Sequence, residues 1–129
     1  MRLALYCSAL LVLLAIAVVA RRGYRRWEVS GRSMTPALAP GDWLIVEPIR
    51  PNGRRPVRAG DIVLTGDPRE QGRTLIKRVV RIEGRLAWLE GDNPAESTDS
   101  RQFGPVAVEE IAARVCWRYW PLRRAGRVT

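Results

Sequence analysis

The chain of 129 residues contains one lysine, Lys77, and no histidine. Without imidazole there is no Ser/His/Asp triad and no His-ligated metal site. Cys7 and Cys116 are too few for a thiolate zinc site and lie far from any CxxC spacing. Of the 22 cationic residues, 21 are arginines, which stay protonated. The proton acceptors left are carboxylates, tyrosines, two thiols and one amine. In TLIKRVVRI a strand period of two sets Lys77 on the face of Leu75 and Val79, with Ile76, Arg78 and Val80 opposite. An amine among apolar neighbours is costly to charge, so its pKa falls, and neutral Lys77 can take a proton from a serine. A lysine snorkelling at a strand edge is the competing reading of this segment alone. Ser33 lies three residues before Pro36 in EVSGRSMTPALAPGDWLIVEP, a stretch too rich in turn residues for a helix that leads into a strand starting near Trp43. A third constellation is LEGDNPAESTDSRQFGPV, in which Gly91, Asp92 and Asn93 form a turn ahead of Ser97, Asp99, Ser100, Arg101 and Gly104.

These segments must be positioned by a small scaffold. Leu3 to Ala20 is a run of 18 residues without a charge, about 27 Å as a helix and so about one bilayer core. A cleavable leader is the alternative, because Val18 and Ala20 suit the small-residue positions before a cut. The length of the run, and RRGYRR following it directly, favour an uncleaved anchor. The basic juxtamembrane stretch suits anionic headgroups, with Tyr24 and Trp27 at the interface; a solvated linker is the plainer reading. Beyond Glu28 come short apolar runs broken by Gly and Pro: WLIVEP, DIVL, TLIKRVVRI, LAWLE and ARVCWRYW. They predict a mostly β domain, closed or sandwiched, with one helical turn or two at about Val108 to Ala113. PIRPNGRRPVRAG reads as an exposed loop. The expected division is an anchor with its basic stretch over 1–26, a β domain over 27–122 and a basic tail over 123–129. The net charge of +9 and five tryptophans invite a nucleic-acid reading. Arginines spread from Arg2 to Arg127, clustered only beside the anchor, argue against nucleic acid as a partner and for the lipid bilayer.

Taken together, the motifs resemble the type I signal peptidase family, membrane-bound endopeptidases with a Ser/Lys dyad. SMTPALAPGDWLIV resembles that family's Ser-Met-x-Pro segment, GDIVL its Gly-Asp-hydrophobic motif, KRV its Lys-Arg-Val motif, and Gly91 to Gly104 its GDN...S.DSR..G motif. Four motifs in the family's order span nearly everything from Glu28 to Val106. The resemblance implies a small signal-peptidase-like β domain of short coiled sheets behind one N-terminal transmembrane helix. It implies Ser33 as nucleophile, Lys77 as general base, Ser97 as the hydroxyl that orients the amine, and Met34 as a residue lining the substrate cleft. Asp99 and Arg101 correspond to an ion pair that, with Asp92 and Asn93, holds the loop in place.

One position departs from many bacterial members, where a serine two residues before the nucleophile contributes to the oxyanion hole. Here that position is Gly31, as in the mitochondrial-type members, with Ser30 one place further back. The backbone N–H of Ser33 remains as a donor. Only 14 residues separate Lys77 from Gly91, so the large domain that some members insert there is absent.

The resemblance implies precursor proteins with N-terminal signal or leader peptides as substrates, and no metal or organic cofactor. A narrower alternative within the family is a maturation protease for one precursor, since the compact size and the RYWP ending resemble the nickel superoxide dismutase maturation proteases. From another class comes a non-catalytic, membrane-anchored β domain that binds headgroups or a partner. Against it stand the intact Ser33, Lys77 and Ser97. The resemblance implies a single pass of the cell membrane with the catalytic domain on the outer face, whereas Arg21, Arg22, Arg25 and Arg26 on the domain side of the run favour the opposite by the positive-inside count.

Overall fold

A computed structural model describes residues 2–51, 53 and 55–128, without the side chains of residues 2–5 and 19. The chain opens with helix α1 (Arg2–Arg22), which has no polar face. Its side chains from Tyr6 to Val18 are mostly well exposed, Leu10 at 67% and Leu14 at 61%. The N-terminal helix is therefore present as expected. The expected membrane crossing is not shown: among the described residues no helix is long and apolar enough to cross a membrane.

Seven antiparallel strands follow: β1 (Arg25–Glu28), β2 (Trp43–Pro48), β3 (Ile62–Asp67), β4 (Glu70–Glu83), β5 (Leu86–Glu90), β6 (Val106–Ala107) and β7 (Ile111–Trp120). They form one sheet in the order β1-β2-β7-β3-β4-β5-β6. The last strand thus lies inside the sheet, between β2 and β3. The mostly β expectation is met, with the helical turn near residue 108 confined to a 3-10 turn at Val108–Glu110 while Ile111 to Ala113 extend into β7. The short helix α2 (Ser100–Phe103) was not expected; Asp99 caps it, and Gln102 Oε1 accepts from the Asp99 N–H, a reciprocal capping box.

Apolar side chains gather on both faces of the sheet. Ile62 and Leu64 of β3 join Val29, Met34, Leu38 and Leu44 in one cluster. Val63, between them, joins Val79, Leu89 and Ile111 in the other. A strand buried on both faces has no need of alternation, which explains the continuous run IVLT. In β4 the expected alternation holds: Leu75, Lys77 and Val79 are buried, while Val80 is exposed. The two-residue connection from β4 to β5 starts at Gly84 with φ +60°, the left-handed position that suits a tight hairpin.

Two segments carry contacts that the sequence did not show. The basic stretch after α1 is not a linker, because Arg25 to Glu28 pair with Val46 to Trp43. Trp27 is consequently packed against the core instead of standing free at an interface. Within the expected basic tail, residues 124 and 126 hold to the β domain. Arg124 donates to Asp42 and to the Pro36 carbonyl, and the Arg118 and Gly126 backbones exchange hydrogen bonds. In the loop of residues 48–60, expected to be exposed, Pro48 and Ile49 are half-buried and Val57 is buried, while Asn52 and Arg54 lie outside the described residues.

Candidate active site

Ser33 lies in the long loop between β1 and β2, which is fastened at three places. Met34 and Leu38 sink completely into the core. Asp42, 1% exposed, accepts hydrogen bonds from the Ala39 N–H, Arg118 and Arg124. At the other end, the Asn93 N–H donates to the Ser33 carbonyl at 2.9 Å, and the Asn93 side-chain amide donates to the Arg32 carbonyl and Thr35 Oγ1. A loop of turn residues can hold a serine rigidly because its neighbours on both sides are anchored.

Lys77 reaches the same point from the middle of β4, a strand paired with β3 on one edge and, from Arg78 onward, with β5 on the other. Its Nζ lies 2.8 Å from Ser33 Oγ, across 44 residues of sequence. The residue is only 3% exposed. Burial pushes the amine below its ordinary pKa, the nearby Asp99 carboxylate pulls it back up, and Arg73 pushes it down again. Burial prevails. A neutral amine at this distance is an acceptor for the serine proton.

The loop after β5 supports both residues. Gly91 passes so close that a Cβ there would collide with the Ser33 carbonyl and Ser97 Oγ. Buried Asp99 accepts from the Gly91 N–H, from the Ser97 hydroxyl and from Arg101 through Nε and Nη2. Burial acts to raise the Asp99 carboxyl. The Arg101 guanidinium, the Gly91 N–H and the Ser97 hydroxyl outweigh it and hold that carboxyl well below the usual carboxylate range. Asp92 is held by Arg78 through two hydrogen bonds of 2.8 Å. In front of the pair opens a cleft of about 210 Å³, lined by Ser30, Gly31, Ser33, Leu75, Lys77 and Thr98 among others.

The chain matches the family described as "Signal peptidase, peptidase S26" over residues 2–86 and 82–120. It belongs to the signal peptidase family. Among its relatives, the mitochondrial ATP-independent inner membrane protease subunit 1b of Arabidopsis thaliana is 36% identical over 119 residues, covering 74% of this chain and 70% of that protein. The human mitochondrial inner membrane protease subunit 1 is 31% identical over 75% of this chain and 70% of its own length. Subunit 2 of the mouse protease is 31% identical over 78% of this chain and 69% of its own.

Within this signal peptidase homologue the structure brings together Ser33, Lys77, Ser97, Asp99, Arg101, Asp92 and Asn93. Ser30 and Gly31 are exposed on the cleft wall. Met34 does not line the cleft. It is 0% exposed and packs into the core cluster with Val29, Leu38 and Leu44. Ser97 is not hydrogen-bonded to the amine; its hydroxyl donates to Asp99, the carboxylate whose charge acts on Lys77. Sequence reasoning missed Asp42 with Arg118 and Arg124, and it missed Arg78 as the partner of Asp92. A GD turn ahead of a strand hinted at Asp42, whereas nothing local marks arginines 76 and 82 residues away in the chain.

Proposed function

We propose that this signal peptidase homologue is a membrane-anchored serine endopeptidase that removes N-terminal signal or leader peptides from precursor proteins, with Ser33 as nucleophile and Lys77 as general base. The observation that carries the reading is the 2.8 Å approach of a buried amine to a serine hydroxyl. Neutral Lys77 takes the Ser33 proton as Oγ adds to the scissile carbonyl. The Ser33 N–H donates to the oxyanion, with Ser30 beside it on the cleft wall. Collapse of the tetrahedral adduct expels the leaving amine with the proton from Lys77, and the acyl group stays on Ser33. Lys77 then takes a proton from water as that water attacks the ester, which releases the leader and restores the serine.

Ser97 supports the dyad through Asp99: by donating to that carboxylate it tempers the negative charge that favours the protonated amine. Asp99 with Arg101, and Asp92 with Asn93, hold the loop on which both halves of the dyad rest. Residues 70–77 of β4 pair with β3 on one edge, while pairing with β5 begins at Arg78. The edge left open beside Lys77 suits an extended substrate added as a strand. Membrane attachment is supported by the 18 uncharged residues of α1, the exposed apolar side chains from Tyr6 to Val18 and the inner membrane location named for the relatives. Mass spectrometry of the detergent-solubilised full chain with a leader peptide, quenched within the first turnover, tests the assignment. An acyl adduct on Ser33, and no cleavage by Ser33→Ala, are expected; cleavage by that variant would overturn the reading.

A further inference from the structure

A second concavity, of about 1080 Å³, opens between the end of α1 and the sheet, and it shares no lining residue with the cleft. Seven arginines line it against two carboxylates, Glu47 and Asp61. Arg114 on β7 forms part of its wall with a side chain only 4% exposed. Its Nη2 donates to the Arg55 carbonyl, but Nε and Nη1 are buried without a hydrogen-bond partner among the described residues. The nearest carboxylate is Asp61, 3.7 Å from Nε, and it already accepts from Arg55 Nη2 and the Arg58 N–H. A buried guanidinium with free N–H groups is costly unless an acceptor completes it. The fork partner of Nε is Nη2, which the Arg55 carbonyl takes, so Nε and Nη1 do not grip one phosphate; they leave uncompensated positive charge in the groove wall. Arg22, Arg50 and Arg127 add positive charge around the opening.

α1 indicates where such a phosphate comes from. Leu10, Leu14, Val18 and Arg22 recur every four residues and so share one helix face. The three apolar members are 67%, 61% and 46% exposed, and Val18 and Arg22 form part of the groove wall. An apolar stripe that runs directly into an arginine-lined recess fits acyl chains along the stripe and a charged head in the recess. We propose that this groove binds the phosphate of an anionic phospholipid headgroup, docking the catalytic domain against the membrane surface at the foot of α1. This rests on the reading of α1 as the anchor.

The test uses the full chain in neutral detergent, titrated with dihexanoyl phosphatidylglycerol, dihexanoyl phosphatidylcholine or inorganic phosphate, with thermal melting as the readout. The anionic lipid should raise Tm saturably and in a salt-sensitive way, and the zwitterionic lipid should not. Arg114→Gln, and separately the exposed pair Arg50→Gln with Arg127→Gln, should weaken the anionic lipid at least tenfold. The exposed pair should leave leader-peptide cleavage in detergent unchanged. Equal binding of the zwitterionic lipid, or unweakened binding by the exposed-pair variant, overturns the proposal. Inorganic phosphate binding as tightly as the lipid overturns the lipid assignment in favour of a soluble phosphate. Flotation with phosphatidylcholine vesicles reports the anchor alone, so its failure is distinguishable from failure of the groove.

Discussion

At the residue scale the balance around Lys77 decides the chemistry. In the proposed mechanism the amine must be neutral to act, so kcat/KM should rise with pH through one ionisation below the reference lysine value of about 10.4 and stay high until the fold fails. A midpoint near 4 would point to a carboxylate base instead. Lys77→Arg should be inactive at every pH, since a guanidinium stays protonated. The same burial has a stability consequence. A lysine whose folded pKa is depressed penalises the native state fully below that folded pKa, and the penalty fades as pH rises to the unfolded value. Lys77→Met should therefore melt higher than the native chain at pH 6, with the difference shrinking toward pH 10.5; paired thermal scans check this. Ser97→Ala should slow turnover by roughly 10²- to 10⁴-fold, the range of acid/base assistance. Asp99→Asn, which removes the negative charge that props up the lysine pKa, should move the acid limb of the pH profile to lower pH. A limb that does not move would make Asp99 purely structural.

At the element scale the site is a meeting of two loops on one strand. Gly91 is the point of closest approach, so Gly91→Ala forces the Ser33 carbonyl and Ser97 apart. Overpacking of this kind costs about 1–3 kcal/mol, and a lowered Tm with a larger proportional loss of kcat is the expected result. Unchanged melting and turnover would mean that the loops separate without penalty. Much of this was legible in the sequence, because strand alternation is local: TLIKRVVRI alone put Lys77 on the buried face. Met34 was misread, since a residue next to a nucleophile can face either the cleft or the core and only the tertiary fold decides. α2 was missed because four residues carry no helical periodicity; its only signal was the Asp99/Gln102 capping pair, three residues apart. The distances between loops were beyond reach, because the sheet order that brings β7 between β2 and β3 depends on contacts far apart in sequence.

At the scale of the whole molecule, the chain is an N-terminal helix, a short edge strand and a candidate site that follows almost at once. β1 starts at Arg25, three residues after α1 ends at Arg22, and Ser33 comes eleven residues after that end. Eleven residues, even fully extended, span at most roughly 36–40 Å, and part of that length is fixed in β1. If α1 is the anchor proposed above, the enzyme is a cutter on a short leash. Its nucleophile sweeps a thin layer next to the lipid, and a precursor is a substrate only while its scissile bond lies within that layer. The spacer between a precursor's own membrane segment and its cleavage site then acts as a ruler. Lengthening that spacer with rigid helical repeats should leave cleavage intact while the bond stays inside the layer and abolish it beyond, whereas cleavage of the same precursors in detergent should be indifferent to spacer length.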